Sequence, residues 1–280
     1  MTRRSHRRNS REGMILLNVL VIVAIATAAV VVMISAQDIE VQRTIRLTDA
    51  SQAQAYTRAA EASAIVALRR DGISAADSDS YAEPWAAVGQ REIDIPGGRF
   101  AVAIEDEQAR FNLNSLRGGG PIPISWFAAI ARGTGVSTAS VNQIVTVVDG
   151  LGPLSDDGLL RTAGIDPADL DRLKPYLSYL PTDAKLNLNT VAPDLLTLIA
   201  GNVDGVRLLS DRRTAKGAVT EPDVAAAGMT GFGGLTSDHF LVVSKVQIGD
   251  VTRITRSRLT RSANSQGVTV RVESRRRSSG

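Results

Sequence analysis

Cysteine is absent from the 280 residues, so disulfides, thiolate metal sites and cysteine nucleophiles are excluded. Histidine is nearly absent. His6 lies in a basic leader outside any core, which leaves His239 alone and removes a multi-histidine metal centre and a His-centred triad. Aromatics are 4% of the chain, too few for a surface that stacks sugar rings or single-stranded bases. Glycine and proline are missing from Met14 to Asp71, so nothing there interrupts a helix. G-x-S-x-G, H-E-x-x-H and phosphate-loop signatures are also missing, which removes the common hydrolase and nucleotide classes.

What is present is unevenly distributed. With 44% hydrophobic and 22% charged residues the chain is globular in composition and long enough for one large or two small domains. The formal charge of +3 hides two basic ends. Five arginines face one glutamate in residues 1–13, and eight arginines face Asp250 and Glu273 in residues 250–280. The stretch between is net acidic, so there is no basic groove of the kind a general nucleic-acid binder uses.

Met14 to Ile34 reads MILLNVLVIVAIATAAVVVMI, with Asn18 and Thr27 its only polar residues. As a helix it rises about 1.5 Å per residue and matches the ~30 Å hydrocarbon core of a bilayer. The preceding arginines keep that end in the cytoplasm and send the rest across. The apolar run is longer than the ~7–15 residues of a cleaved signal peptide. Gly13, between a short basic leader and the apolar run, resembles the cleavage point of a type IV prepilin. That resemblance implies cutting of the Gly13–Met14 bond by a prepilin peptidase, N-methylation of Met14, and retention of the apolar segment. An ordinary signal anchor is the alternative. Asn18 falls at the fifth mature position, where most of that family carries glutamate. An uncharged residue suits a subunit with no neighbour above it, at a filament tip; a tolerated polar residue within an anchor is the other reading.

Three- and four-residue spacing continues beyond the span through Val41, Ile45, Thr48, Gln52, Tyr56, Ala59/Ala60, Ser63 and Ala67, with Gly72 as the expected stop. Alternation over 91–95 and 99–105 around Pro96-Gly97-Gly98 predicts a β-hairpin with Ile93, Ile95, Phe100, Val102 and Ile104 inward. Short helices are expected across roughly 125–227, with Asp166 and Thr190 as caps. Strands are expected at 240–246, 251–261 and 268–272. The fold class is α+β: a long N-terminal transmembrane/amphipathic helix and an α/β core with an inserted all-α subdomain. The divisions are a leader 1–13, a long helix 14–71 with 14–34 transmembrane, first core part 72–116, helical insert 117–235, closing strands 236–273 and a basic tail 274–280.

Glu61-Ala-Ser-Ala-Ile-Val-Ala-Leu, then Asp106-Glu-Gln-Ala-Arg-Phe-Asn-Leu-Asn-Ser-Leu, then Leu180-Pro-Thr-Asp-Ala-Lys-Leu-Asn-Leu-Asn-Thr-Val-Ala-Pro occur in the order found in general secretion pathway protein K. Over about residues 8–262 the chain resembles that family, the large minor pseudopilin of type II secretion systems. The resemblance implies a pilin-like α/β core in the periplasm, an inner-membrane anchor, no enzymatic activity, and a place at the pseudopilus tip. The partners implied are the prepilin peptidase, minor pseudopilins I and J, the major pseudopilin and the inner-membrane secretion platform. It also implies calcium ligands after the helix ending near Val148. Here that stretch is shortened to Asp149-Gly-Leu-Gly-Pro-Leu-Ser-Asp-Asp-Gly, so Asp149, Asp156 and Asp157 are the calcium candidates. Helix caps are the alternative use of these residues, since calcium takes six to eight oxygens.

Two rival functions are open at this level. A type IV pilus minor pilin shares the leader. Residues 186–213 also resemble a helix-hairpin-helix DNA grip, but Val203 replaces the second glycine of its turn and Asp204 adds a charge that repels phosphate. Nucleic acid is therefore not an expected partner, and Arg212 and Arg213 read as a solvated face. Glu105, Asp106 and Glu107 read as a solvated strand end.

Overall fold

The computed structural model describes residues 8–88, 92–118 and 120–279. Its first element, helix α1 (Arg8–Ser74), is one unbroken rod about 100 Å long. The hydroxyls of Thr27, Ser35, Thr44 and Thr48 each bond the carbonyl four residues earlier, so these groups are satisfied within the rod. The helix runs through Gly72 rather than ending there. A Cβ on Gly72 would stand 3.0 Å from Arg261 Cδ and 3.1 Å from Val268 Cγ1. The glycine serves a close approach of helix to sheet, a role that sequence alone cannot separate from a helix stop.

A five-stranded sheet packs under the second half of α1. Strands β1 (Ile93–Ile95) and β2 (Gly98–Asp106) form the expected hairpin. After a parallel two-residue pair, β3 (Phe111–Asn112) with β4 (Leu177–Ser178), the sheet resumes with β5 (His239–Ile248), β6 (Val251–Asn264) and β7 (Gly267–Ser279). The order is β1-β2-β5-β6-β7, antiparallel throughout. Ala60, Ala64 and Leu68 of α1 meet Val102, Ile104, Phe240, Val242, Leu259 and Trp85 in one cluster. Ile93, expected inside, is 51% exposed, because α1 lies over the central strands and leaves the short edge strand β1 uncovered. The helix face is also rotated by about one residue from the expected stripe. Ala53, Thr57, Ala60, Glu61, Ala64 and Leu68 are buried, while Ser63, Val41 and Ile45 face outward. An alanine-rich segment gives little contrast between faces.

Between β2 and β5 the chain leaves the sheet and returns to the adjacent register, Asp106 opposite Phe240. The excursion contains α2 (Pro121–Gly133), α3 (Thr138–Leu151), α4 (Gly158–Thr162), α5 (Pro167–Leu173), α6 (Pro193–Ala200), α7 (Val203–Lys216) and α8 (Glu221–Ala226). Its core gathers Phe127, Ile130, Ile144, Leu160, Leu173 and Leu196, and Phe111, Leu113 and Leu116 pack with it. Packing therefore changes hands just after Asp106. Caps follow the sequence at several ends. Ser137 accepts from Ser140 N, Asp166 accepts from Ala168 N, and Thr220 with Asp223 forms a capping box. Thr190 does not cap α6; its hydroxyl donates to Asp106 instead.

Residues 274–279 are not a tail but the second half of β7, laddered against β6 from Arg258 back to Arg253. The sheet gives these arginines acidic partners that a run of like charges does not reveal in sequence. Arg275 Nε lies 2.8 Å from Glu61 Oε1, and Arg276 pairs with Asp156.

Candidate functional site

Two features of the molecule bear on function: the apolar half of α1 and the polar junction that holds the inserted helices on the sheet. Every large hydrophobic side chain from Met14 to Ile34 is exposed, between Val21 at 46% and Leu16 at 69%. The most apolar 18-residue window has a mean hydropathy of 3.0 and buries nothing within the molecule. One helix is thus long and apolar enough to cross a membrane. So large an exposed apolar area in a folded chain calls for lipid or other helices around it. Asn18 is exposed within that surface.

The junction is built by the two Asn-Leu-Asn phrases. Each asparagine offers one acceptor and two donors, enough to replace backbone pairing where the chain is irregular. Asn112 Oδ1 accepts from Asn114 N at 3.2 Å and Leu180 N at 3.0 Å, while its Nδ2 donates to Pro181 O at 2.6 Å. Asn114 Nδ2 donates to Leu154 O and Leu180 O, both at 2.8 Å, and Oδ1 accepts from Leu154 N at 2.7 Å. Asn187 Nδ2 donates to Asp79 O, Asp106 Oδ2 and Ser237 Oγ, and Asn189 bridges Ser78 Oγ, Leu235 O and Val219 N. The leucines between, Leu113 and Leu188, point into the helical core. The first phrase closes the insert on itself. The second ties it to the loop after α1 and to the strand end where the chain re-enters the sheet.

Charges beneath this junction are buried. Asp106 is 1% exposed, so the expected solvated strand end is a buried hub. It accepts from Gln108 N, Asn187 Nδ2, Thr190 Oγ1 and Ser237 Oγ. Burial pushes its carboxyl up, and these four donors pull against that. Glu107 is likewise buried and takes both ends of the Arg258 guanidinium. Arg261 donates to Asp71 at 3.0 Å, to Asp79, and to Ser237 O at 2.7 Å, with its guanidinium 5.2 Å from the Phe240 ring centroid. Burial, with Glu83 and Asp79 close by, pushes the Asp71 carboxyl up. Glu61 holds α1 on β6 and β7 through Ser257 Oγ and Arg275 Nε. Burial acts to raise its pKa, but Arg275 and Ser257 outweigh burial and leave it lowered. Sequence reading missed these roles because most of the partners lie more than 80 residues away along the chain.

The positions singled out in sequence fall in separate places. Gly13 and Met14 lie within α1, and the Gly13 end is outside the residues whose surroundings are described. Asp149 sits exposed near the end of α3. Asp156 accepts from Gly158 N at 2.7 Å and pairs with Arg276; Asp157 pairs with Arg161 at 2.8 Å. Asp156 and Asp157 are engaged by arginine and backbone, and the three carboxylates are not among those whose oxygens converge, so Asp149, Asp156 and Asp157 do not form a calcium-type donor set. Among the described residues, the one group of carboxylates with oxygens mutually within 4.8 Å is elsewhere, at Asp71, Asp79 and Glu83. The α6–α7 turn does place Gly201 at φ +62. However, Asn202 Oδ1 already accepts from Gly205 N, one of the amides a phosphate would need, and Asp204 lies in the first turn. Arg213 is not simply solvated, since its Nη1 donates to Val191 O at 2.6 Å.

No protein-family model matches the chain. It is 26% identical to type II secretion system protein K of Klebsiella pneumoniae, over 93% of this chain and 96% of that protein. The protein K of Pseudomonas aeruginosa is also 26% identical, over 91% of this chain and 90% of its own length. The fold matches a chain in the crystal structure of the GspK-GspI-GspJ complex from the enterotoxigenic Escherichia coli type 2 secretion system. That match has a TM-score of 0.69 and 22% identity, covering 85% of this chain and 100% of the other. Along nine-tenths of its sequence this chain is similar to type II secretion system protein K, and its α+β fold matches that of a chain in the GspK-GspI-GspJ crystal structure.

Proposed function

We propose that the chain is a minor pseudopilin of a type II protein secretion system, a structural subunit rather than an enzyme. One observation carries this reading. A fully exposed apolar half-helix continues without a break into the helix that the sheet grips, so membrane stem and head are one rigid piece. In the inner membrane the stem is solvated by lipid. On assembly the same surface packs against the stems of other subunits, while the head stands in the periplasm. The inserted helices widen the head far beyond the stem and obstruct a subunit stacked above. Asn18 carries no charge that would need a neighbour's terminal ammonium. Both favour the tip, beside minor pseudopilins I and J and above the major pseudopilin, with the inner-membrane platform supplying the subunits.

Processing belongs to the same reading. The prepilin peptidase cuts Gly13–Met14 and Met14 is methylated. The test is the mass of the polypeptide extracted from membranes. A chain starting at N-methylated Met14, and a Gly13→Ala variant retained at precursor mass and absent from complexes with I and J, are expected. A mature chain starting anywhere else, or normal assembly of Gly13→Ala, overturns the assignment.

A further inference from the structure

The buried end of the stem carries more negative charge than its partners neutralise. Asp71 closes α1, Asp79 and Glu83 follow in the next loop, and one carboxylate oxygen from each lies within 4.8 Å of the other two. Asp71 is 5% exposed and Asp79 is 0% exposed. Among the described residues one cation, Arg261, stands against these three carboxylates, and it spends its guanidinium on Asp71, Asp79 and the Ser237 carbonyl. Asp79 Oδ2 takes both Arg261 and Ser237 N, while Asp79 Oδ1 is fully buried with no hydrogen-bond partner among the described residues. A buried carboxylate oxygen without a donor is a costly omission unless something else binds it.

We propose that Asp71, Asp79 and Glu83 bind a hard divalent cation of the calcium type. The chemistry fits in three ways. The donors are all oxygen, the class that calcium and magnesium prefer over nitrogen and sulfur sites. Two further positive charges balance three carboxylates and one guanidinium. Glu83 is only partly buried, which gives the ion and its remaining water ligands a way in. Its Oε2 is held from behind by Trp85 Nε1 at 2.9 Å, the kind of supporting hydrogen bond that orients a ligating carboxylate. The ion would join the end of the stem to the loop of residues 75–88. Through Ser237 it would also fix the point where the inserted helices return to the sheet. It is separate from Asp149, Asp156 and Asp157, and it stands or falls independently of the secretion assignment.

Trp85 supplies the readout. Terbium bound beside Glu83 lies within range of energy transfer from this indole, whereas Trp126 is stacked on Phe232 in the helical insert. The full chain in detergent, stripped with chelator and titrated with terbium under tryptophan excitation, should give saturable luminescence that calcium displaces. Trp126→Phe should leave both the emission and calorimetric calcium binding intact, whereas Trp85→Phe, which also removes the hydrogen bond behind Glu83, should abolish the emission and weaken calorimetric calcium binding. Asp79→Asn and Glu83→Gln should each weaken binding at least tenfold. Glu83→Gln, at the rim, keeps the test valid if Asp79→Asn does not fold. The combined Asp156→Asn and Asp157→Asn change should have no effect. Absence of saturable Trp85-dependent emission, unchanged affinity in Glu83→Gln, or loss of binding in the Asp156/Asp157 variant instead would overturn the proposal.

Discussion

Asparagine 114 shows how one side chain can hold two distant segments. Fully buried, it bonds both backbone groups of Leu154 and the carbonyl of Leu180. Asn114→Ala strands two carbonyls and one amide in the interior, so a loss of about 2–4 kcal/mol is expected. Urea unfolding of the full chain checks it, and an unchanged midpoint would mean that water replaces the amide. Buried acids set the response to pH at the same scale. Asp169 is held below the usual carboxylate range first by Ser140 Oγ, then, against burial, by Ser137 and Arg172. Glu61 is also lowered. Groups with depressed folded pKa values contribute stability that is complete above their unfolded values, near 4, and lost as pH falls through the folded values. The unfolding midpoint should therefore drop on acidification below about pH 4, and Asp169→Asn should flatten that drop.

Among the elements, α1 combines two unlike halves under one rule, uninterrupted helix. The first half has no partner among the described residues, and the second presents small residues that let it lie close on β5 and β6. Leu68 is the large apolar side chain of this face and is 0% exposed. Leu68→Ala should cost about 2–5 kcal/mol through the cavity it leaves. Guanidinium unfolding followed by Trp85 fluorescence reads that loss directly, because Leu68 and Trp85 share one cluster. The helix, the β1–β2 hairpin and the inserted helices are legible from periodicity, Pro-Gly turns and caps. The rotation of the α1 face is not, because alanine, serine and threonine alternate there with little difference in polarity.

At the scale of the whole molecule, an insert that leaves and re-enters at paired residues needs no long linkers, so the sheet is complete without it in strand order. The closing strand β7 is part of that sheet. Deleting residues 274–280 removes half of its ladder with β6, the Arg275–Glu61 pair and the Arg276–Asp156 pair. Arg275 is about half exposed, so the ion pair alone is screened and contributes about 1 kcal/mol. The larger loss is the buried Glu61 left with Ser257 alone. A clear fall in melting temperature is expected, greater than that of Arg277→Ala, and equal melting of the truncated and full chains would show that the segment is dispensable.

By itself the sequence determines the elements with strong local signals: an apolar run of bilayer length, a helix without glycine or proline, strands with period two, and helices opened by proline or a capping side chain. Those depend on neighbours a few residues apart. Only the tertiary structure decided the uses of Gly72, Asp71, Asp79, Asp106, Thr190 and the C-terminal arginines, because each is defined by a partner brought from far along the chain. Polar residues that look solvated in a linear reading become buried joints once β2 and β5 pair, since the two ends of the insert then meet over the end of the stem.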